Sequence, residues 1–160
     1  MGKQEVSMQQ KITPNLWFDG NAKEAVDYYL SVFPDGRIIT TDYYPQSIEE
    51  GLAEFQIALA GQPLSIEYEV LGMRFVAINA GPEFKFDEAV SFAIFCEDQA
   101  EIDYYWEKLS AVPEAEQCGW CKDKFGLSWQ VVPKSTPELM KKPGAFAKMM
   151  EMKKIVIADF

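Results

Sequence analysis

Two stretches of the chain repeat one order of apolar and polar positions. Residues 16–29 (LWFDGNAKEAVDYY) and 92–105 (FAIFCEDQAEIDYY) each run from an apolar strand through a short polar turn into a helix carrying Asp, Tyr, Tyr in the same phase. A period near half the chain length indicates two copies of one supersecondary unit, because a solenoid needs more repeats.

Each copy opens its helix with a capping signal. Asn21 with Glu24, and Asp98 with Glu101, stand at capping-box spacing. Apolar residues then recur at helical period, so each helix is expected to bury one face against a sheet.

The remaining pattern predicts strands and short helices. In the first half we expect strands over residues 37–44, 64–70 and 74–79, with a helix over 47–61 that is capped by Ser47 and closed by Gly61. In the second half we expect strands over 90–95, 116–122 and 127–132 and a helix over 98–109. Thr136-Pro137 predicts the N-cap and first residue of a short helix, residues 145–152 a further helix, and residues 154–158 a strand. The sequence therefore predicts an α+β fold built on the β-α-β order of each half.

Composition removes several mechanisms. The 160 residues include no histidine and carry a formal net charge of −10. Without histidine the chain has no Ser-His-Asp or Cys-His nucleophile and no imidazole ligand for zinc or iron.

The charge is uneven along the chain. Residues 12–110 hold 18 Asp and Glu against 5 Lys and Arg, whereas residues 111–160 hold 6 against 8. Nucleic-acid binding normally requires a basic face, so we expect no nucleic-acid partner. Acidity favours attraction of cationic ligands, although solubility alone also accounts for it.

The sequence predicts a cytoplasmic protein. No apolar run approaches the roughly 20 residues of a membrane-spanning helix. The segment MGKQEVSMQQK lacks the apolar region of a secretory signal, and three cysteines make a poor disulfide scaffold. We expect a cytoplasmic location and no membrane association.

Several separated motifs resemble one known family. They are residues 12–20 (ITPNLWFDG), 79–86 (NAGPEFKF), 96–99 (CEDQ), 118–120 (CGW), 123–133 (DKFGLSWQVVP) and 152–155 (MKKI). In this order they are similar to the PhnB-like branch of the vicinal oxygen chelate superfamily, the relatives of glyoxalase and bleomycin resistance proteins, whose members often carry the label 3-demethylubiquinone-9 3-methyltransferase.

The resemblance implies two βαβββ-type modules that form cupped mixed sheets, in a homodimer with the ligand inside the cup. We place a flexible tail at residues 1–11, the first module at 12–89 and the second, with a C-terminal helical extension, at 90–160. Together the modules are expected to form one compact domain.

Metal-dependent members of this superfamily hold their ion with His and Glu at four strand positions. By resemblance those positions fall here at Pro14 or Asn15, Ile78 or Asn79, Ser91 and Gln130. None offers an imidazole or anionic donor, so we predict no metal and no cofactor.

The methyltransferase label finds no support in the glycines. The ten glycines are never closer than seven positions apart, so no glycine-rich turn of the kind that binds nucleotide cofactors occurs.

Cys118 and Cys121 form a C-x-x-C motif. A redox pair needs a helix N-terminus at the motif to lower the pKa of its first thiol, and here a turn into a strand follows. In an extended strand the two side chains point to opposite faces, which favours packing, although a redox role stays open.

Strand parity selects the candidate ligand contacts. On the first strand Trp17 lies opposite Leu16 and Phe18, because successive side chains alternate. The predicted ligand-binding residues are Trp17, Asn79, Ser91, Ser128 and Gln130, with Trp120 near the rim of the cup. Many aromatic residues will instead belong to the core or a dimer contact.

Two functions follow from different classes. The first is a metal-independent binding protein that holds a cationic or hydrophobic small molecule in an aromatic and polar cup. The alternative is a glyoxalase-like enzyme, a lyase or isomerase or the methyltransferase of the family label, using carboxylate acid-base chemistry. Its general base would be among Glu54, Glu67, Glu69 and Glu83.

Overall fold

The computed structural model describes residues 10–160, which divide into two compact units after Phe84. The predicted tail, residues 1–11, lies outside the described residues except for Gln10 and Lys11. The module boundary predicted between residues 89 and 90 stays a prediction.

The first unit is a four-stranded sheet with one helix. Its elements are β1 (Asn15–Asp19), α1 (Ala22–Val32), β2 (Arg37–Tyr43), β3 (Pro63–Val70) and β4 (Met73–Ala80). The strand order is β1-β4-β3-β2, with β1 parallel to β4 and the other pairs antiparallel. The helix buries Tyr29, whose ring stacks on Tyr68 of β3 at 6.2 Å between centroids. Apolar periodicity thus places α1 on one face of the sheet.

The second unit repeats the plan with three strands. Its elements are β5 (Ser91–Cys96), α2 (Gln99–Leu109), β6 (Trp120–Lys122), β7 (Ser128–Pro133), α3 (Thr136–Leu139) and α4 (Ala145–Glu151). The order is β5-β7-β6, with β5 parallel to β7 and β6 antiparallel to it. The predicted α+β class, with a mixed sheet in each half, is confirmed.

The two capping predictions have different outcomes. Asp98 accepts a hydrogen bond from the Glu101 N–H at 2.9 Å, as predicted. Asn21 makes no side-chain cap, so that prediction is wrong. The side chain that bonds the start of α1 is Asn79, whose Oδ1 accepts from the Ala22 N–H at 3.1 Å. A residue from β4 therefore replaces the local cap.

The prediction of a helix over residues 47–61 is wrong. The segment forms two 3₁₀ turns, Ile48–Glu50 and Glu54–Leu59. Gly51, with a φ of 108°, ends the first turn in the left-handed region. Phe55 is 85% exposed, so the apolar stripe read as a buried face does not pack as one.

Three boundaries in the second half also differ from the prediction. Only residues 120–122 of the strand predicted over 116–122 join the sheet, because Gln117 and Trp120 close a tight turn through reciprocal backbone hydrogen bonds. The strand predicted over 154–158 is wrong, since Ile157–Asp159 forms a 3₁₀ turn. Ser135 is the residue before α3, and Thr136, predicted as the N-cap, begins the helix.

No helix among residues 10–160 is both long enough and apolar enough to span a bilayer.

Candidate functional site

One face of the second sheet carries polar and aromatic side chains. Along β7 the side chain of Gln130 is partly exposed, while its neighbours Trp129 and Val131 are buried. On β6 the same alternation leaves Trp120 partly exposed and buries Cys121. Because side chains alternate along a strand, Trp120 and Gln130, which face each other in the β6–β7 register, share this face.

A cavity of about 690 Å³ opens on this face. Its wall is formed by Ala93, Phe95, Ala115, Gln117, Cys118, Trp120, Gln130, Val132, Thr136, Met149 and Met150. None of these residues carries a charge. The volume lies within the range of roughly 300–1,000 Å³ that is typical of small-molecule sites.

Two predicted site residues are joined by a hydrogen bond. Gln130 Nε2 donates to Ser91 Oγ at 2.9 Å, across the parallel pair β5–β7. The bond fixes the side-chain amide of Gln130 at the cavity wall, with Trp120 on the neighbouring strand. The structure therefore brings Ser91, Trp120 and Gln130 together.

Ser128 is placed differently from these three. It is buried, only 1% exposed, and pairs with Ser91 in the strand register without lining the cavity. Ser128 lies on a strand, as predicted, but its side chain is buried inside the unit.

The remaining two predicted residues belong to the first unit and are engaged within it. Trp17 donates from Nε1 to the Gly81 carbonyl oxygen at 2.9 Å, and Phe84 meets its ring edge-on at 4.9 Å. Asn79 is 2% exposed, and its Nδ2 donates to the Pro63 carbonyl oxygen at 3.0 Å while its Oδ1 bonds Ala22. Both ends of the Asn79 amide are thus used to join strand and helix.

The residues at the four metal positions of the resembling enzymes do not fit a divalent ion. Asn15 donates to the Thr13 carbonyl oxygen, the Asn79 amide is bonded at both ends, and Ser91 and Gln130 bond each other. Neutral amides and hydroxyls already paired in this way are weak donors for such ions. Within residues 10–160, no group of three or more Cys, Asp or Glu side chains is arranged to hold a metal.

The C-x-x-C cysteines lie in different environments. Cys118 is partly exposed in the turn before β6, whereas Cys121 is buried in the strand. Burial raises the pKa of the Cys121 thiol to about 12, which is opposite to the activation that a redox thiol needs. Burial likewise raises the pKa of Cys96 to about 12.

Asp123 has a structural role that the sequence pattern did not predict. It is 1% exposed, and its carboxylate accepts from the N–H groups of Phe125 at 2.8 Å and Leu127 at 3.1 Å. Its second oxygen accepts from Trp129 Nε1 at 2.9 Å. Asp123 thus shapes the turn that leads into β7. An Asp opening a turn that contains Gly was the available signal.

Carboxylates of the first sheet are paired with arginines. The side chain of Arg74 lies 3.5 Å from Glu67 and 3.7 Å from Glu69, and Glu69 also lies 3.5 Å from Arg37. Elsewhere in this unit, burial raises the pKa of the Tyr44 hydroxyl, and the nearby Glu83 carboxylate raises it further.

Parity could have identified more of the cavity wall. Ala93 and Phe95 share the parity of Ser91 on β5, and Val132 shares that of Gln130 on β7. Met149 and Met150 of α4 had no such signal, since their position depends on how the C-terminal helix packs.

A family model matches most of the chain. The model described as 3-demethylubiquinone-9 3-methyltransferase matches residues 10–132. Comparison with curated proteins gives no match.

Solved structures similar to this chain include the PhnB protein of Bacillus cereus, at 30% sequence identity and a TM-score of 0.60, covering 78% of this chain and 99% of that one. Protein PA1353 from Pseudomonas aeruginosa is similar at 18% identity and a TM-score of 0.57, covering 79% of this chain and 98% of that one. The second likeness concerns the fold alone.

Proposed function

The chain belongs to the family described as 3-demethylubiquinone-9 3-methyltransferase, the PhnB-like branch of the glyoxalase and bleomycin resistance superfamily, and from that premise we propose that it binds a small, uncharged, largely apolar molecule. The site is the cavity of the second unit. The observation that carries the proposal is a cavity of about 690 Å³ whose wall contains no charged side chain. Trp120 and Gln130 lie side by side in this wall.

The wall chemistry favours a hydrophobic ligand over a cationic one. An organic ammonium ion placed against Phe95 and Trp120 would gain a cation–π contact of about 0.5–2 kcal/mol, but it would meet no carboxylate among the lining residues. Such uncompensated burial of a charge costs several kcal/mol, on the order of the whole binding energy of a small ligand. The net charge of −10 does not change this conclusion, because its attraction for a cation is screened beyond about 8 Å at physiological salt.

Polar recognition in this site rests on Gln130. The hydrogen bond from Gln130 Nε2 to Ser91 Oγ, at 2.9 Å, orients the side-chain amide of Gln130. The other atoms of this amide therefore point in a fixed direction. A few such placed polar groups within an apolar wall are the usual source of orientation and specificity. The ligand is therefore proposed to carry a hydroxyl, amide or carbonyl at one edge of an aromatic or aliphatic body.

Binding is proposed to need no metal. The four positions at which resembling enzymes hold their ion carry neutral side chains that bond each other or the backbone. Stoichiometric zinc, nickel, manganese or iron in the purified, dialysed protein contradicts this part of the proposal.

Catalysis by carboxylates has less support. Glu54, Glu67 and Glu69 belong to the first unit, as does Glu83, and none lines the cavity. Glu67 and Glu69 are paired with Arg74. Methyl transfer is not proposed, since neither strand-to-helix turn, at residues 20–21 and 97–98, holds more than one glycine.

The proposal is tested with three probes of one shape and different charge: a neutral naphthol, a naphthoate anion and a naphthylmethylammonium cation. Quenching or enhancement of tryptophan fluorescence gives the affinities. We expect the naphthol to bind at least about tenfold more tightly than either ion, the equivalent of about 1.4 kcal/mol. Tighter binding of the cation contradicts the proposed ligand class.

A matched pair of variants locates the probe. Phe95 and Phe146 are equally exposed, at 65% and 64%, but only Phe95 lines the cavity. Phe95→Ala is expected to weaken naphthol binding, and Phe146→Ala to leave it within twofold of the unaltered protein. Equal effects of the two variants would show that the probe binds exposed apolar surface in general.

The chain is further proposed to act as a cytoplasmic homodimer. The dimer is proposed from the resemblance to the glyoxalase and bleomycin resistance superfamily, whose members usually pair, and Phe55 and Phe84 are apolar side chains that stay more than half exposed in the single chain. Light scattering at micromolar concentration tests the dimer, and a monomer contradicts it.

A further inference from the structure

Cys118 places its sulfur against a second sulfur. Its thiol donates a weak hydrogen bond to Met150 Sδ, with 3.6 Å between the two sulfurs, and both side chains line the cavity of the second unit. Met149, the residue before Met150 on α4, lines the same cavity. Three sulfur-bearing side chains thus share one wall.

The separation of the two sulfurs suits a single shared ion. Sulfur ligands lie about 2.3 Å from a bound transition metal. With two such bonds, a separation of 3.6 Å corresponds to an angle of about 100° at the metal. That angle belongs to a three- or four-coordinate centre, so a third donor is needed, and Met149 is the sulfur available in the wall.

Backbone hydrogen bonds fix the two segments that carry the sulfurs. The Cys118 N–H donates to the Met152 carbonyl oxygen at 2.8 Å, and the Gly119 N–H donates to that of Lys153 at 2.7 Å. Gln117 adds a third tie, because its Nε2 donates to the Met150 carbonyl oxygen at 2.6 Å. The turn and the end of α4 are therefore held in register without a metal.

The donor set is soft. Thiolate and thioether ligands select copper(I), zinc or iron–sulfur clusters, whereas carboxylates and carbonyls select magnesium, calcium or manganese. Because zinc sites are built from Cys, His and carboxylates, a donor set with two thioethers fits copper(I) best. The cavity wall contains no carboxylate. Gln117 Nε2 also donates to Cys118 Sγ at 3.2 Å, which helps to hold this sulfur in the cavity wall.

We propose that Cys118 and Met150, with Met149 as third sulfur donor, form a binding site for a soft monovalent metal ion, copper(I). The site is distinct from the divalent-ion positions of the resembling enzymes. Its sulfurs line the cavity proposed for the organic ligand, and its test uses copper alone. Cys121 takes no part, since its side chain is buried on the other face of β6.

The site is tested by anaerobic titration of the reduced, full-length protein with copper(I) supplied as its bicinchoninate complex. We expect one copper per chain to be withdrawn from the competitor. Mutation of an outer-shell partner costs roughly 10–100-fold in metal affinity, so loss of a direct ligand in Cys118→Ser is expected to cost at least about 100-fold. Met150→Leu, which keeps the volume, is expected to cost at least about tenfold.

Met73→Leu is the matched control, because Met73 is an exposed methionine of the first unit. It is expected to leave copper affinity unchanged. X-ray absorption of the loaded protein should show sulfur neighbours at about 2.3 Å. Undiminished copper affinity in folded Cys118→Ser, equal losses in Met73→Leu and Met150→Leu, or nitrogen and oxygen neighbours in place of sulfur would each overturn the proposal.

Discussion

Replacement of Asn79 by alanine separates a structural role from a ligand-binding one. The side chain is 2% exposed and makes two hydrogen bonds, one to the Ala22 N–H at 3.1 Å and one to the Pro63 carbonyl oxygen at 3.0 Å. In Asn79→Ala both backbone groups lose this partner, and the first turn of α1 loses its acceptor.

The expected cost follows from those two groups. A buried N–H without an acceptor costs about 1–3 kcal/mol, and loss of the second bond adds about 1 kcal/mol. The free energy of unfolding should therefore fall by about 2–4 kcal/mol. With a urea m-value of roughly 2 kcal/mol per molar, the unfolding midpoint should shift by about 1–2 M.

Equilibrium unfolding in urea, followed by tryptophan fluorescence, measures this change. Asn15→Ala is the control, because Asn15 is exposed and its side chain bonds only the nearby Thr13 carbonyl oxygen in the described structure. That control should stay within about 0.5 kcal/mol of the unaltered protein. Naphthol affinity should be unchanged in both variants. An Asn79→Ala protein of undiminished stability that has lost naphthol binding would refute the reasoning.

Three further predictions concern buried acids and thiols. Asp123→Ala should lower the free energy of unfolding by about 3–5 kcal/mol, because three donors lose one carboxylate; a loss below about 1 kcal/mol in urea unfolding contradicts this. Iodoacetamide on the native protein should label Cys118 and spare Cys96 and Cys121, as counted by mass spectrometry; three labels per native chain contradict the burial. Burial raises the pKa of both spared thiols from 9.0 to about 12, so their protonated form favours the folded state and that stability is lost as the pH rises from 9.0 toward 12. The free energy of unfolding in urea should therefore be lower at about pH 11 than at about pH 8. This difference should be smaller in Cys96→Ala and in Cys121→Ala than in the unaltered protein.

Features encoded within a few residues were predictable from the sequence. The helices α1 and α2 follow from apolar residues at helical period, and Asp98 caps its helix through a residue three positions away. Such contacts depend only on local spacing. The repeat likewise indicated two copies of one supersecondary unit, and the family resemblance implied that each forms a mixed sheet.

Long-range contacts decided what the pattern could not. The cap of α1 comes from Asn79, 57 residues beyond Ala22, and no local spacing encodes that pairing. In the segment 47–61, helical spacing of apolar residues was a misleading signal, because Gly51 takes a left-handed backbone that ends the turn. The tertiary structure overrode a periodicity that was real in the sequence.

The candidate site was predictable as a face of a strand but not as a cavity. Strand faces selected Ser91 and Gln130, which a hydrogen bond joins, and Trp120, expected near the rim, faces Gln130 in the β6–β7 register. The same parity read for Ser128 missed its burial, which depends on its place at the start of β7. The methionines of α4 close the wall through helix packing, which side-chain alternation does not describe.

The central claim is that an uncharged small molecule binds on the open face of the second sheet, and NMR of the tryptophan indole and glutamine amide groups tests it most directly. The four tryptophans, Trp17, Trp106, Trp120 and Trp129, give four indole N–H signals that substitution can assign. On addition of neutral naphthol, the NMR signals of the Trp120 indole and the Gln130 side-chain amide are expected to shift, while the Trp17 indole signal is expected to stay unchanged. Shifts confined to Trp17, or no saturable shift at all, would contradict the account.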